Sequence, residues 1–245
     1  MKTNLIRTVR VLSLALSCVA AGAVSAQTDT DTLGEAARVE LRKVVTGCAS
    51  GLERFLPGDY YFCAAARDMG EGHDSLSRER LRDAAYWASK PAQYVLGLMY
   101  YQGDKGTLNR PLGIAWLALA SERHDRRFES AYAEAYTSAS PEERAQATAY
   151  WLKMREEYGD RVAGRRAKRR YDAEMHAVTA MAENGGSVEA TDMGPMRQFA
   201  FMRKMTDKGD QFFSGLEGTV TVGEGQMSLE PVGKPADRPG AAGAK

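Results

Sequence analysis

Two short apolar runs joined by a glycine turn constrain this chain more than any other feature. Ala92, Leu96, Gly97, Met99 and Tyr100 recur at helical spacing, and residues 112–121 return to helix around Trp116, Leu117 and Leu119. Between them lies Gly103-Asp104-Lys105-Gly106, turn chemistry because glycine reaches positive φ without steric cost. Small residues at Ala92 and Gly97 suit a helix packed closely on a neighbour. Two such helices form a hairpin that cannot bury its apolar face alone and must stack on further hairpins. The expected fold class is all-α.

The flanking sequence extends this reading. Thr32 and Glu35 make a capping box, with Leu33, Ala37, Leu41, Val44, Val45 and Cys48 following at helical spacing, so a helix is expected to begin near Thr32. Gly51 and Pro57-Gly58-Asp59 interrupt it, and residues 60–69 read as a second helix carrying Cys63. Residues 70–74 read as a loop and 76–89 as a third helix, ended by Pro91. Ser140-Pro141-Glu142-Glu143 supplies an N-cap, a proline at the first helical position and a capping-box glutamate, for a helix running to about residue 158. Residues 160–183 form one further amphipathic stretch, ended by Asn184-Gly185-Gly186, and 193–205 a short Met- and Phe-rich helix. The alternation across 218–230 suggests a short β-hairpin, and the Pro/Gly/Ala-rich residues 232–245 a disordered tail.

The motif Ala92-x-x-x-Leu96-Gly97-x-Met99-Tyr100-x-x-Gly103, followed by Asn109-x-x-x-Gly113-x-x-Trp116-x-x-Leu119-Ala120, resembles a Sel1-like repeat, a relative of the tetratricopeptide repeat. Three positions depart from the family pattern: Gly106 lies one place late, Asn109 replaces an aspartate, and Gly113 replaces an alanine. Residues 81–89 resemble the closing helix of a preceding repeat, and 127–147 the degenerate helices that end such arrays. The resemblance implies antiparallel helical-hairpin repeats stacked as an α-solenoid. Together with the signals along the rest of the sequence, it divides the chain into a leader at 1–26, an N-terminal helical hairpin at 27–75, a repeat region at 76–158, an amphipathic helix at 159–185, an irregular extension at 186–231 and the tail at 232–245. It also implies a role in protein–protein contacts, including assembly of envelope machinery. Some cysteine-rich exported relatives are linked to β-lactam hydrolysis, but they carry regularly spaced cysteine pairs in each repeat, and this pattern is missing here.

The first 26 residues read as a secretory signal peptide. Lys2, Arg7 and Arg10 precede an uncharged run over residues 11–24, and Val24-Ser25-Ala26 offers a small-residue cleavage site before Gln27. A lipid anchor through Cys18 is the alternative, although Ala15-Leu16-Ser17 lacks the usual leucine three places earlier. No later stretch is apolar for long enough to span a bilayer. The expected product is therefore periplasmic or secreted. Cleavage removes three of the 33 basic residues and leaves 30 against 32 acidic ones, a balance that argues against nucleic acid as a partner. In an oxidising compartment Cys48 and Cys63 would close a loop of about 16 residues as a disulfide worth on the order of 3 kcal/mol.

No catalytic constellation stands out, and the chain is not expected to be an enzyme. Histidine occurs at 73, 124 and 176. His73 beside Glu71 and Asp74 could suggest a cation site, but three polar residues in a glycine loop are ordinarily solvated, and no ligand-spacing motif accompanies them. No nucleophile elbow or phosphate loop is present, so neither metal nor cofactor is expected. Arg165, Arg166, Lys168, Arg169 and Arg170 form the sharpest charge run, whose partner could be acidic lipid or polysaccharide. Its ordinary reading is a solvated helix face, with Lys168 facing Asp172 and Arg170 facing Glu174. Leu96, Met99, Trp116 and Leu119 are assigned to the core by their helical spacing, and among the tyrosines Tyr94 and Tyr101 remain candidate contacts for a protein partner in the cell envelope.

Overall fold

The computed structural model describes residues 28–43, 51–104, 107–183 and 198–216. Among these there is no strand, and ten α-helices follow one another: α1 (Thr28–Arg42), α2 (Leu52–Phe55), α3 (Pro57–Gly70), α4 (Asp74–Tyr86), α5 (Lys90–Gln102), α6 (Arg110–Ala120), α7 (Arg126–Thr137), α8 (Pro141–Tyr158), α9 (Arg165–Glu183) and α10 (Gln198–Phe212). A 3₁₀ turn, Ser121–Arg123, follows α6, and a π-helical turn, Asp160–Gly164, precedes α9. The expected leader, Cys18, Cys48, the hairpin near 218–230 and the tail lie outside the described residues.

Side-chain caps open α6, α7 and α8. Ser140 and Glu143 form the expected box, with the Glu143 N–H donating to Ser140 Oγ at 3.2 Å and the Ser140 N–H to Glu143 Oε2 at 2.9 Å. Asn109 accepts from the Leu112 N–H at 3.0 Å, and Asp125 from the Arg127 N–H at 2.9 Å. Several expected boundaries move. Pro57 opens α3 instead of breaking a helix, because a missing N–H costs nothing in a first turn. Pro91 likewise sits in the first turn of α5, and α4 ends earlier, where Ala88 takes φ +65°. The stretch expected as one helix from 160 to 183 is split by the π-helical turn, and α10 runs on to Phe212.

The α5–α6 hairpin is the tightest join in the molecule. A β-carbon on Gly97 would lie 2.7 Å from Leu117 Cγ, and one on Gly113 would lie 2.6 Å from the Tyr101 N and 2.7 Å from the Gly97 O. Moving up α5 from 97 to 101 therefore moves down α6 from 117 to 113, so the two helices are antiparallel and nearly backbone to backbone. From α3 to α6 each helix packs on the next, α6 also packs on α7 and α8, and α1 lies across α3 and α5. Their common core includes Leu81, Val95, Leu96, Leu98, Ile114, Leu117 and Leu119, each with no exposed surface.

A second core joins α2, α9 and α10 through Leu52, Phe55, Leu56, Tyr171, Val178, Phe201 and Met205. The Tyr171 hydroxyl donates to the Met205 carbonyl at 3.0 Å, and the ring lies against Gly209. A small cluster of Ala88, Ala163 and Ala167 stitches the two cores together, with Trp87, Phe212 and Phe213 packed on it. This seam lies beside one cavity, which residues of six helices line.

Candidate functional site

The cavity has a volume of about 880 Å³, within the size range of sites that take small ligands or peptide segments. Its walls come from α1 (Glu40, Lys43), α3 (Asp59, Phe62, Cys63), α5 (Lys90, Pro91), the 121–125 turn (Arg123, His124, Asp125), α7 (Arg127, Phe128) and α10 (Lys208, Asp210, Gln211, Phe212).

The floor is an ionic network. Lys90 is 4% exposed; its Nζ donates to Leu119 O at 2.7 Å, Gln93 Oε1 at 3.1 Å and Glu122 Oε2 at 2.6 Å, and lies 3.2 Å from Asp160 Oδ1. Arg123 grips Asp160 with both arms of its fork, Nε to Oδ2 and Nη2 to Oδ1, each at 2.8 Å. The same guanidinium donates to Ala88 O at 3.2 Å and to Phe212 O. The Asp160 N–H in turn donates to Glu122 Oε2 at 2.9 Å, and Gln93 Nε2 to Tyr158 O at 2.9 Å. Burial pushes the Asp160 carboxyl up, but Lys90 and the Arg123 fork outweigh it and hold the group below the usual carboxylate range. Two cations thus face two anions, every charge is hydrogen-bonded, and the arrangement bears its desolvation cost through those bonds.

Asp59 stands apart from this balance. Burial raises its carboxyl to about 6, against the opposing pull of Lys208 and Arg123. Towards the rim, Glu40 accepts from Lys43 at 2.7 Å and from Arg127, while Arg127 also donates to Asp125 at 2.8 Å. Phe62, Phe128 and Phe212 supply the apolar wall. Backbone strain gathers here as well: Ala88 and His124 hold φ of +65° and +59°, and they flank the carbonyl that Arg123 uses and Arg123 itself.

Apart from Cys63, which lines the cavity, the candidate site residues of the sequence lie elsewhere. Tyr94 and Tyr101 are 5% and 7% exposed, and they serve the core rather than a surface. The Tyr94 ring lies 4.7 Å from that of Phe128, and the Tyr101 hydroxyl meets Ser138 Oγ at 2.6 Å under the Arg110 guanidinium. The reason is that α5 is enclosed on nearly all sides, so it offers no face to a partner. In the basic run, Lys168 pairs with Asp172 at 2.7 Å and Arg170 with Glu174 at 3.6 Å, as the helical spacing predicts. Arg166 lies 3.5 Å over the Tyr86 ring and donates to Tyr86 O at 2.6 Å, and Arg170 donates to Arg54 O at 2.9 Å. Arg165 and Arg169 stay exposed. Cys63 is buried in α3 beside the cavity. Among the described residues, one set of side chains has metal-ligand proximity, Asp68, Glu71 and His73, at the α3–α4 corner.

The cavity residues Asp59, Lys90, Arg123 and Lys208, and the Glu122 and Asp160 carboxylates that hold Lys90 and Arg123 from behind, had no signal in the sequence beyond being polar residues near element ends. The chain matches no protein-family model, no curated protein and no solved structure.

Proposed function

We propose that this is an exported helical-repeat protein that works by recognition rather than turnover, and that the cavity between α1, α3, α5, α7 and α10 is where it binds. The observation that carries the reading is the finished state of the cavity floor. Its inner charges neutralise one another at 2.6–3.2 Å, which leaves a rigid, polar, preformed surface beside an aromatic wall and suits binding with little reorganisation. In this reading helices α4 to α8 form the Sel1-like repeat region, supported by the antiparallel α5–α6 crossing at Gly97 and Gly113. Cys48 and Cys63 pair as a disulfide at the cavity's edge. The partner is a protein of the cell envelope. The basic helix is a weaker contact candidate, since Arg166, Lys168 and Arg170 are engaged within the molecule.

The test is crosslinked capture from the native envelope with the chain from Gln27 onward, compared with a Lys208→Glu/Asp210→Lys variant that inverts two side chains lining the cavity. A partner recovered by the wild type and lost by the variant is the expected result. Equal recovery by both removes the cavity from the reading, and hydrolysis of a β-lactam or peptidoglycan substrate by the pure protein overturns the non-enzymatic account.

A further inference from the structure

We propose that the corner between α3 and α4 binds a divalent first-row transition-metal ion through Asp68, Glu71 and His73. One carboxylate oxygen from Asp68, one from Glu71 and one ring nitrogen of His73 lie within 4.8 Å of one another. A tetrahedral ion with ligands at the usual 2.0–2.2 Å sets them about 3.4 Å apart, so a small inward rotation of two side chains completes the set. Glu71 and His73 are free to make it: both are exposed, with their side chains 3.5 Å apart.

Proximity alone would carry nothing, since acidic groups often gather without an ion. The second observation is Asp68 itself. Asp68 is 6% exposed, and its Oδ2 has no hydrogen-bond partner. The nearest cation, Arg80 Nε at 3.8 Å, is beyond hydrogen-bond reach, and that nitrogen is itself without a hydrogen bond. A buried carboxylate oxygen lacking a donor is costly and rare in a native structure. It is accounted for by a cation drawn in between the Asp68 carboxylate and the exposed Glu71 and His73.

The backbone is shaped to bring these groups together. The His73 N–H donates to Asp68 O at 2.8 Å and the Gly72 N–H to Met69 O at 3.1 Å, while Gly72 takes φ +81°. This reverses the chain within three residues and returns His73 over the last turn of α3. The left-handed position explains a glycine at 72. Two carboxylates and one imidazole favour a borderline ion such as Zn²⁺ over Mg²⁺ or Ca²⁺, which prefer all-oxygen sets. Three protein donors leave a fourth position for water. The site stands on its own residues, more than a helical turn along α3 from the cavity, and does not depend on the proposed function.

The experiment is calorimetric titration of the full chain, stripped with chelator, with ZnCl₂, together with elemental analysis after dialysis. One equivalent of zinc is expected. His73→Ala and Glu71→Gln, both at exposed positions that spare the core, should each weaken binding by at least about tenfold, while His124→Ala leaves it unchanged. Circular dichroism of each variant confirms that the fold is intact. The proposal is overturned by an absence of zinc uptake, by unchanged affinity in the His73→Ala and Glu71→Gln variants, or by equally tight binding of Mg²⁺.

Discussion

Asp59 carries a charge that the fold would rather not have. Its folded-state value of about 6 against an ordinary 3.8 means that between those limits the folded chain holds a proton the unfolded chain has released. Stability linked to this group is therefore greatest below about pH 4 and falls as pH rises through 6. The shift corresponds to at most about 3 kcal/mol in the ionised state. Asp59→Asn should raise the urea midpoint at pH 7.5, by the equivalent of about 1–3 kcal/mol, with the gain shrinking towards pH 4; an unchanged pH profile would show that Asp59 is not the titrating group. Asp160 has the opposite sign. Its carboxyl is held low, so its contribution persists above the ordinary carboxylate range and disappears only in stronger acid. Neither role was legible in the sequence, because Asp59 and Asp160 acquire their environments from Lys208, Arg123 and Lys90, residues no spacing rule connects. Tyr94 and Tyr101 show the converse error: helical periodicity marks one face as core, but α5 is buried on the other face as well.

At the scale of elements, the α5–α6 hairpin was the most readable part of the chain, and for a physical reason. Glycines at 97 and 113 stand where a side chain would strike the opposite backbone or Leu117, so spacing and packing report the same contact. Gly113→Ala should cost about 2 kcal/mol and lower Tm by several degrees, whereas Gly70→Ala, with open space around its α-carbon, should be neutral. Equal effects of the two substitutions in thermal melts would mean that the close crossing does not limit stability. The capping box at Ser140 was equally legible, since its chemistry is confined to four residues. The π-helical turn at Asp160–Gly164 was not. Apolar positions at Val162, Ala163 and Ala167 continue the pattern of α9, and the departure from it coincides with Asp160 being drawn into the Arg123 fork. Such a break originates outside the segment that contains it.

For the whole molecule, α10 is the piece that links the second core to the seam and walls one side of the cavity. It contributes Phe201 and Met205 to the second core, Phe212 to the seam, and Lys208 and Asp210 to the cavity wall. A chain ending at residue 183 should keep the far-UV signal of α3 to α8, bind an apolar dye more strongly and melt several degrees lower; indistinguishable dye binding and melting would show α10 to be an appendage. Its place was partly visible as a Met- and Phe-rich segment, but what it covers was not, since Leu52, Phe55 and Leu56 lie about 150 residues earlier. The bond from Arg123 to the Phe212 carbonyl spans 89 positions, which has a consequence in time. At ordinary rates of synthesis that gap lasts roughly 5 to 20 s, during which Arg123 has been made and the helix that roofs it has not. Among the described residues, the cavity is therefore the last feature to be completed as the chain is made. A chain cut short before α10 would advertise its incompleteness by a bare aromatic patch at Phe55, readable by any protease or chaperone that surveys new chains.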